Sequence, residues 1–147
     1  MLEPAELKHK ALSWLTRRDY SEVELRRRLQ QLGGLSEHIE QVIAWCKSYD
    51  YLNQPRYIKM LVRSRTNRGY GFNYIAQELK QHNIGVDELK LCLAELNIDW
   101  FAAAKRVYSK KYSDSPVIDY KDKMKRMAYM QRRGFNHDQI QHIFTEY

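Results

Sequence analysis

Apolar residues recur along this chain at spacings of three and four, and short polar or glycine-containing stretches interrupt them at regular distances. From Pro55 onward the apolar residues fall on one side of a helix with about 3.6 residues per turn. They are Tyr57, Ile58, Leu61 and Val62. Pro55 favours a helix start, and Gly69 and Gly71 favour a helix end, because proline fits a first turn and glycine a left-handed terminus. Since no segment shows sustained apolar–polar alternation, the pattern predicts an all-α protein.

The apolar pattern repeats after fifty residues without a gap. The matched pairs are Leu25 and Ile75, Leu29 and Leu79, Ile39 and Leu89, and Ile43 and Leu93. A tyrosine also recurs at this interval, at Tyr20, Tyr70 and Tyr120. Self-similarity of this period indicates stacked supersecondary units. We therefore expect three tandem three-helix repeats of about fifty residues, spanning 1–52, 53–98 and 99–147 and forming an elongated, curved array.

The third copy of the pattern is divergent. We align Tyr129 with Leu29 and Gly134 with Gly34, whereas Ile140 matches Ile39 only after one extra residue. Its helices are predicted from a cap at Asp99, over 120–133 and over 137–144, with a polar loop at 112–119.

The starts and ends of the other helices are also marked in the sequence. Ser21 with Glu24 forms a capping-box pattern that starts a helix at Glu22, and Ser36 is a candidate cap for the next helix. In the middle repeat the predicted helices run over 55–68, 72–82 and 86–96.

Several short segments carry a family resemblance. They are SEVEL at 21–25, Tyr51-Leu52-Asn53, Gly69-Tyr70-Gly71, Ile75 with Glu78-Leu79, and Arg132-Arg133-Gly134-Phe135. Together they make the chain resemble the RecX family of bacterial regulators of the RecA recombinase, from about Ala11 to Phe144. Two positions depart from the family pattern: Gln54 replaces a usual acidic residue, and Asn83 replaces a common glycine.

The resemblance implies a negative modulator that binds the RecA filament on single-stranded DNA in its groove. Such a protein would inhibit filament extension, ATP turnover, strand exchange and coprotease activity, as a monomer without a cofactor. A stand-alone DNA-binding protein with helix-turn-helix-like modules is the alternative, and direct DNA binding stays open in both cases.

Positive charge accumulates toward the C-terminus. The net charge is +7, with eight basic and eight acidic residues in 1–50, seven and five in 51–100, and ten and five in 101–147. Helical projection places basic side chains away from the apolar stripes, which predicts basic faces for a partner or DNA. The candidates are Arg26, Arg27, Arg56, Lys59, Arg63, Arg68, Lys123, Arg126, Arg132 and Arg133. For any one of them, a solvated helix surface is an equally good interpretation.

Two residues near the repeat junction have their own interpretations. Arg65 projects into the apolar stripe of its helix, so we expect an ion pair with Glu78 rather than partner contact. Tyr70 could stack on a base, although its recurrence favours a packing role.

The sequence offers little for catalysis or metal binding. His137 and His142 are five residues apart, which does not bring both to one helical face, and Gly69-Tyr70-Gly71 lacks the lysine of a phosphate-binding loop. Cys46 and Cys92 lie on apolar faces and are expected to be buried thiols rather than a disulfide. We expect no enzyme activity, no metal and no cofactor. The chain also has no apolar run of membrane-spanning length and no secretory signal, which predicts a cytoplasmic protein.

Overall fold

Helices provide the regular secondary structure of the described chain. A computed structural model describes residues 2–145, which contain nine α-helices and no β-strand. The helices are α1 Pro4–Leu15, α2 Glu22–Gln31, α3 Ser36–Ser48, α4 Gln54–Asn67, α5 Phe72–Lys80, α6 Val86–Leu93, α7 Trp100–Tyr112, α8 Tyr120–Arg132 and α9 His137–Thr145. The predicted all-α fold, with three helices in each of three successive repeats, is confirmed.

Side-chain caps fix several helix starts. Ser21 Oγ accepts from Glu24 N at 3.1 Å, and Asp99 Oδ1 accepts from Ala102 N at 3.1 Å, so both predicted caps are confirmed. The prediction for Ser36 was wrong, because Leu35 occupies the N-cap of α3 and Ser36 is its first helical residue.

The chain divides into two compact units. Unit 1 comprises the described residues up to Met60 together with His82–Ile84, and unit 2 comprises Leu61–Gln81 and the described residues from Gly85 onward. A core cluster of unit 1 is Leu7, Ala11, Tyr20, Leu25, Leu29, Ile39, Val42, Ile43, Cys46 and Leu52. A core cluster of unit 2 is Ala103, Ala104, Tyr108, Met130, Phe135, Ile140 and Ile143. The middle repeat therefore supplies residues to both units.

Both cysteines are buried and form no disulfide, as predicted. Burial raises the pKa of the Cys46 thiol to about 11, so the thiol stays protonated and unreactive near neutral pH.

Burial corrects the alignment of the third repeat by one residue. Two residues four apart are buried in each second helix: Leu25 and Leu29 in α2, Ile75 and Leu79 in α5, and Arg126 and Met130 in α8. Met130, rather than Tyr129, is thus the counterpart of Leu29. The backbone supports this alignment, because the residue four positions after the second member of each pair has a positive φ.

These positive-φ residues are Gly33 at 86°, Asn83 at 57° and Gly134 at 100°. Gly134 therefore aligns with Gly33. The one-residue insertion that shifts Ile140 relative to Ile39 lies before Arg126, so it shifts the whole of α8 as well. Asparagine tolerates the left-handed conformation better than other residues with a side chain, which explains Asn83 at this position.

The two glycines beside Tyr70 serve different purposes. Gly69 ends α4 with a φ of 87°, as predicted, whereas Gly71 is the N-cap of α5 with a φ of −97°. At Gly71 the requirement is space, since a Cβ there would lie 2.6 Å from the carbonyl oxygen of Gly134. Gly71 N donates to Arg133 O at 2.7 Å and Asn73 N donates to Gly134 O at 3.0 Å. These backbone bonds join the start of α5 to the end of α8 within unit 2.

Candidate nucleic-acid and partner interface

The basic residues of α2 differ in how their charge is compensated. Arg26 donates to both carboxylate oxygens of Glu40 on α3, with distances of 2.7 and 3.0 Å. This hydrogen bond raises the pKa of Arg26 and lowers the pKa of Glu40. The neighbouring Arg27 is exposed on the same helix. Arg26 therefore joins two helices of unit 1, whereas Arg27 forms no ion pair with any acid in the described part of the chain.

Arg56 closes the turn that precedes α4. Its Nε lies 2.7 Å from Asp19 Oδ1, and its NH1 lies 3.3 Å from Asp50 Oδ2. The guanidinium also donates to the carbonyl oxygens of Asp50 and Tyr51, at 3.0 and 3.2 Å. The hydrogen bond with Asp19 raises the pKa of Arg56. With four groups of unit 1 around it, Arg56 is placed to hold the turn.

The other candidates of α4 are less enclosed. Lys59 is half-buried and has interaction partners, whereas Arg63 and Arg68 are exposed. Arg65 forms the predicted ion pair, since its Nε and NH2 each lie 2.7 Å from a carboxylate oxygen of Glu78. That prediction is confirmed, and the pair connects α4 to α5 within unit 2.

Arg126 is buried, which corrects its placement on a basic face. Only 4% of the residue is exposed, and its guanidinium donates to Tyr108 Oη at 2.8 Å and to Ser115 O at 2.8 Å. The carbonyl of Pro116 accepts at 3.1 Å, and the carboxylate of Asp122 lies 3.1 Å away. The hydrogen bond with Tyr108 is the main reason that the pKa of Arg126 is raised. The loop after α7 folds over this side chain, which helical projection could not show.

The remaining candidates of the third repeat lie near the surface. Lys123 is half-buried with its ammonium 5.6 Å from the centre of the Phe144 ring, and Arg132 is exposed. Arg133 is half-buried and donates from Nε to Gly69 O at 3.1 Å and from NH2 to Arg68 O. Its guanidinium thereby binds carbonyls at the end of α4.

Both faces of the Tyr70 ring are covered. The ring of Tyr74 stacks on it with a centroid distance of 3.9 Å and an interplanar angle of 15°. The guanidinium carbon of Arg133 lies 4.0 Å from the same centroid. Two groups this close to one ring centre must occupy opposite faces. The geometry therefore supports the packing role of Tyr70, because no ring face is left for a base.

Unit 2 contains a cavity of about 460 Å³ with five cationic side chains in its wall. We call these five residues the basic pocket: Arg68, Arg106, Lys110, Lys111 and Arg133. The end of α4, one face of α7 and the end of α8 build it, with Ala103, Val107 and Tyr129 as its apolar lining. Sequence reasoning selected Arg68 and Arg133 but not the three α7 cations. The available signal was Arg106 and Lys110, four residues apart on one helical face, with Lys111 next in sequence.

Two other kinds of functional element are absent from the described residues. Between residues 2 and 145, no group of three or more His, Cys, Asp and Glu side chains is arranged to hold a metal ion. Within the same range, no helix is both long and apolar enough to span a bilayer.

The fold defines the class of protein to which this chain belongs, a tandem array of three-helix domains. Three family models match in order: the first three-helix domain of RecX over residues 8–46, the second over 53–88 and the third over 97–144. The chain belongs to the RecX family. It is 36% identical to the regulatory protein RecX of Pectobacterium atrosepticum, over 93% of this chain and 94% of that protein. It is 32% identical to the regulatory protein RecX of Serratia proteamaculans, over 97% and 98% of the two chains.

Solved structures support the fold independently. The crystal structure of RecX from Lactobacillus salivarius matches with a TM-score of 0.81 over 97% of this chain and 95% of that one, at 21% identity. A second crystal structure of a regulatory protein RecX matches with a TM-score of 0.83 over 97% and 73% of the chains, at 19% identity. The relatives carry the name of a regulatory protein, which is not an enzyme class.

Proposed function

We propose that this chain is a negative modulator of the RecA recombinase. It binds the RecA filament on single-stranded DNA in the filament groove and inhibits filament extension, ATP turnover, strand exchange and coprotease activity. The observation that carries the proposal is the match of all three RecX domains in order, together with regulatory relatives that align over nearly their whole length. We further propose that it acts as a monomer in the cytoplasm and has no catalytic activity of its own.

The distribution of charge is compatible with such a partner. The RecA filament on DNA presents phosphate groups, and cationic side chains bind phosphates with little dependence on sequence. Arg27, Arg63 and Arg132 are exposed in this chain, and the basic pocket adds further cations in unit 2. These residues are the ones that we propose for contact with the filament.

The test is ATP turnover by RecA on single-stranded DNA, titrated with this protein and accompanied by a gel shift on the same DNA without recombinase. We expect turnover to fall at far fewer than one molecule per RecA protomer, with weak binding to bare DNA. Addition before and after filament assembly separates blocked extension from inhibition of assembled filaments. If turnover falls only when the protein saturates bare DNA, the chain is a general DNA-binding protein and the proposal is wrong.

A further inference from the structure

The basic pocket lacks the compensating acids that surround other cations of this protein. No Asp or Glu among the described residues lines it. Among residues 2–145, no carboxylate forms an ion pair with any of its five cations. Five positive charges that share one concave surface repel each other, and this repulsion is relieved when an anion enters. The pocket is therefore suited to a ligand with more than one negative charge.

Two of the cations are already oriented. Arg133 uses two of its five N–H groups on the carbonyls of Gly69 and Arg68 and stacks on Tyr70, which leaves the others for a ligand. The Lys111 ammonium lies 5.2 Å from the centre of the Tyr129 ring. An oriented cation loses less conformational entropy on binding than a mobile one.

Gly69 gives the pocket its shape. A Cβ at this position would lie 2.9 Å from Arg133 NH2 and 3.2 Å from Val107 Cγ2. Any larger residue would push the arginine away from the α4 terminus or fill the space against α7. The glycine therefore serves the pocket as well as the left-handed turn at the end of α4.

We propose that the basic pocket binds the sugar–phosphate backbone of single-stranded nucleic acid. This inference rests on the proposed function and assigns the DNA contact to particular residues. A cavity of about 460 Å³ is within the range that accepts a molecule of nucleotide size, and a flexible single strand can bend into it. Arginine forks and lysine point charges both bind phosphate oxygens, and the apolar lining suits the sugar.

An acidic peptide is the less favourable ligand. An extended peptide needs backbone hydrogen-bond partners, as on a sheet edge, and the carbonyls at the end of α4 already accept from Arg133. A phosphodiester needs no such partners, because its charged oxygens are its recognition groups.

The experiment measures the affinity for a fluorescent oligothymidylate by anisotropy across a range of salt concentrations. The test variant is Lys110→Gln with Lys111→Gln. The matched control is Lys80→Gln with Lys90→Gln, which removes the same charge from exposed lysines in the last turns of α5 and α6. For single strands, log affinity changes with log salt by about 0.7 per phosphate contact, so the test variant should flatten the slope by about 1.4. The control should keep the slope of the original protein.

Three outcomes would overturn the assignment. The first is an equal decrease of the salt slope in the test and control variants. The second is that the original protein shows no measurable binding of oligothymidylate at low salt. The third is that the test variant still binds oligothymidylate but has lost affinity for a polyglutamate peptide. The last result would assign the pocket to an acidic protein segment. If circular dichroism shows that the test variant has lost helix, Arg106→Gln replaces it, with an expected change of about 0.7. RecA inhibition by the original protein is measured in parallel. If the protein inhibits RecA but the pocket variant does not change the salt slope of oligothymidylate binding, this inference is refuted and the proposed function stands.

Discussion

The two units use their basic residues differently. In unit 1, Arg26 and Arg56 each meet a carboxylate oxygen at 2.7 Å, and Lys47 meets Glu22 at 2.8 Å. In unit 2, five cations line one pocket, and no carboxylate of residues 2–145 belongs to its wall. The difference shows that a basic helix face in the sequence does not by itself identify a binding surface. A cation is available to a partner only where no neighbouring element supplies an acid, and this depends on the tertiary fold.

In unit 2, Arg65 and Arg126 also have acidic partners, and Arg126, the more buried of the two, should give the largest effect on stability. Arg126→Gln is expected to lower the free energy of unfolding by about 2–4 kcal/mol, because it removes buried hydrogen bonds that hold the loop after α7. Urea unfolding followed by circular dichroism measures this. The matched control, Arg132→Gln on the same helix, is exposed and should stay within about 0.5 kcal/mol of the original protein. Equal midpoints for the two variants would contradict the buried role of Arg126.

Arg56→Gln tests the assignment of unit 1 cations to structure. We expect a loss of about 1 kcal/mol, since the two ion pairs and the two carbonyl contacts disappear while 41% exposure of the side chain allows water to screen the charges. Inhibition of RecA should not change at a temperature where the variant is folded. The control is Arg63→Gln, which should leave the urea midpoint unchanged. If Arg56→Gln loses RecA inhibition while it keeps its full helix content, Arg56 contacts the partner and its assignment to structure is wrong.

The smallest effect is the pH dependence of the Arg26–Glu40 pair. Arg26 lowers the folded-state pKa of Glu40 below its unfolded value, so the pair stabilises the protein above the unfolded pKa. This contribution is lost as the pH falls through the folded pKa. The carboxylate is 53% exposed, and we expect a contribution of about 0.5 kcal/mol or less.

The measurement compares the original protein with Glu40→Gln in urea at pH 7 and at pH 2. The difference in unfolding free energy should be present at neutral pH, shrink in high salt and vanish in acid. A difference that persists at pH 2 would mean that glutamine acts on packing rather than on charge.

The sequence was sufficient for the features that depend on local spacing. The helices, the caps at Ser21 and Asp99 and the left-handed Gly69 follow from periodicity and terminal chemistry. The Arg65–Glu78 pair was also predictable, because an arginine in an apolar stripe requires an acidic partner nearby. These features have in common that the residues involved are close along the chain.

Features that depend on the path of an irregular loop, or on segments from different repeats, were not predictable. Arg126 occupies the position of Leu25 and Ile75, but a loop eleven residues away supplies its partners. The pocket cations of α7 meet Arg68 and Arg133 only after three segments come together. Gly71 looked like a helix stop, whereas its role depends on Gly134. No pattern within a single helix contains this information.

The contact between the end of α4 and Arg133 also has a consequence for synthesis on the ribosome. Arg133 and Gly69 are 64 residues apart in sequence, whereas one core cluster of unit 1 has all its residues once Leu52 has emerged. At about 5–20 residues per second, the ribosome needs roughly 4–16 s to extend the chain from Leu52 to Arg133. Until α8 is complete, the N–H groups at the start of α5, those of Gly71 and Asn73, have no carbonyls of Arg133 and Gly134 to bind.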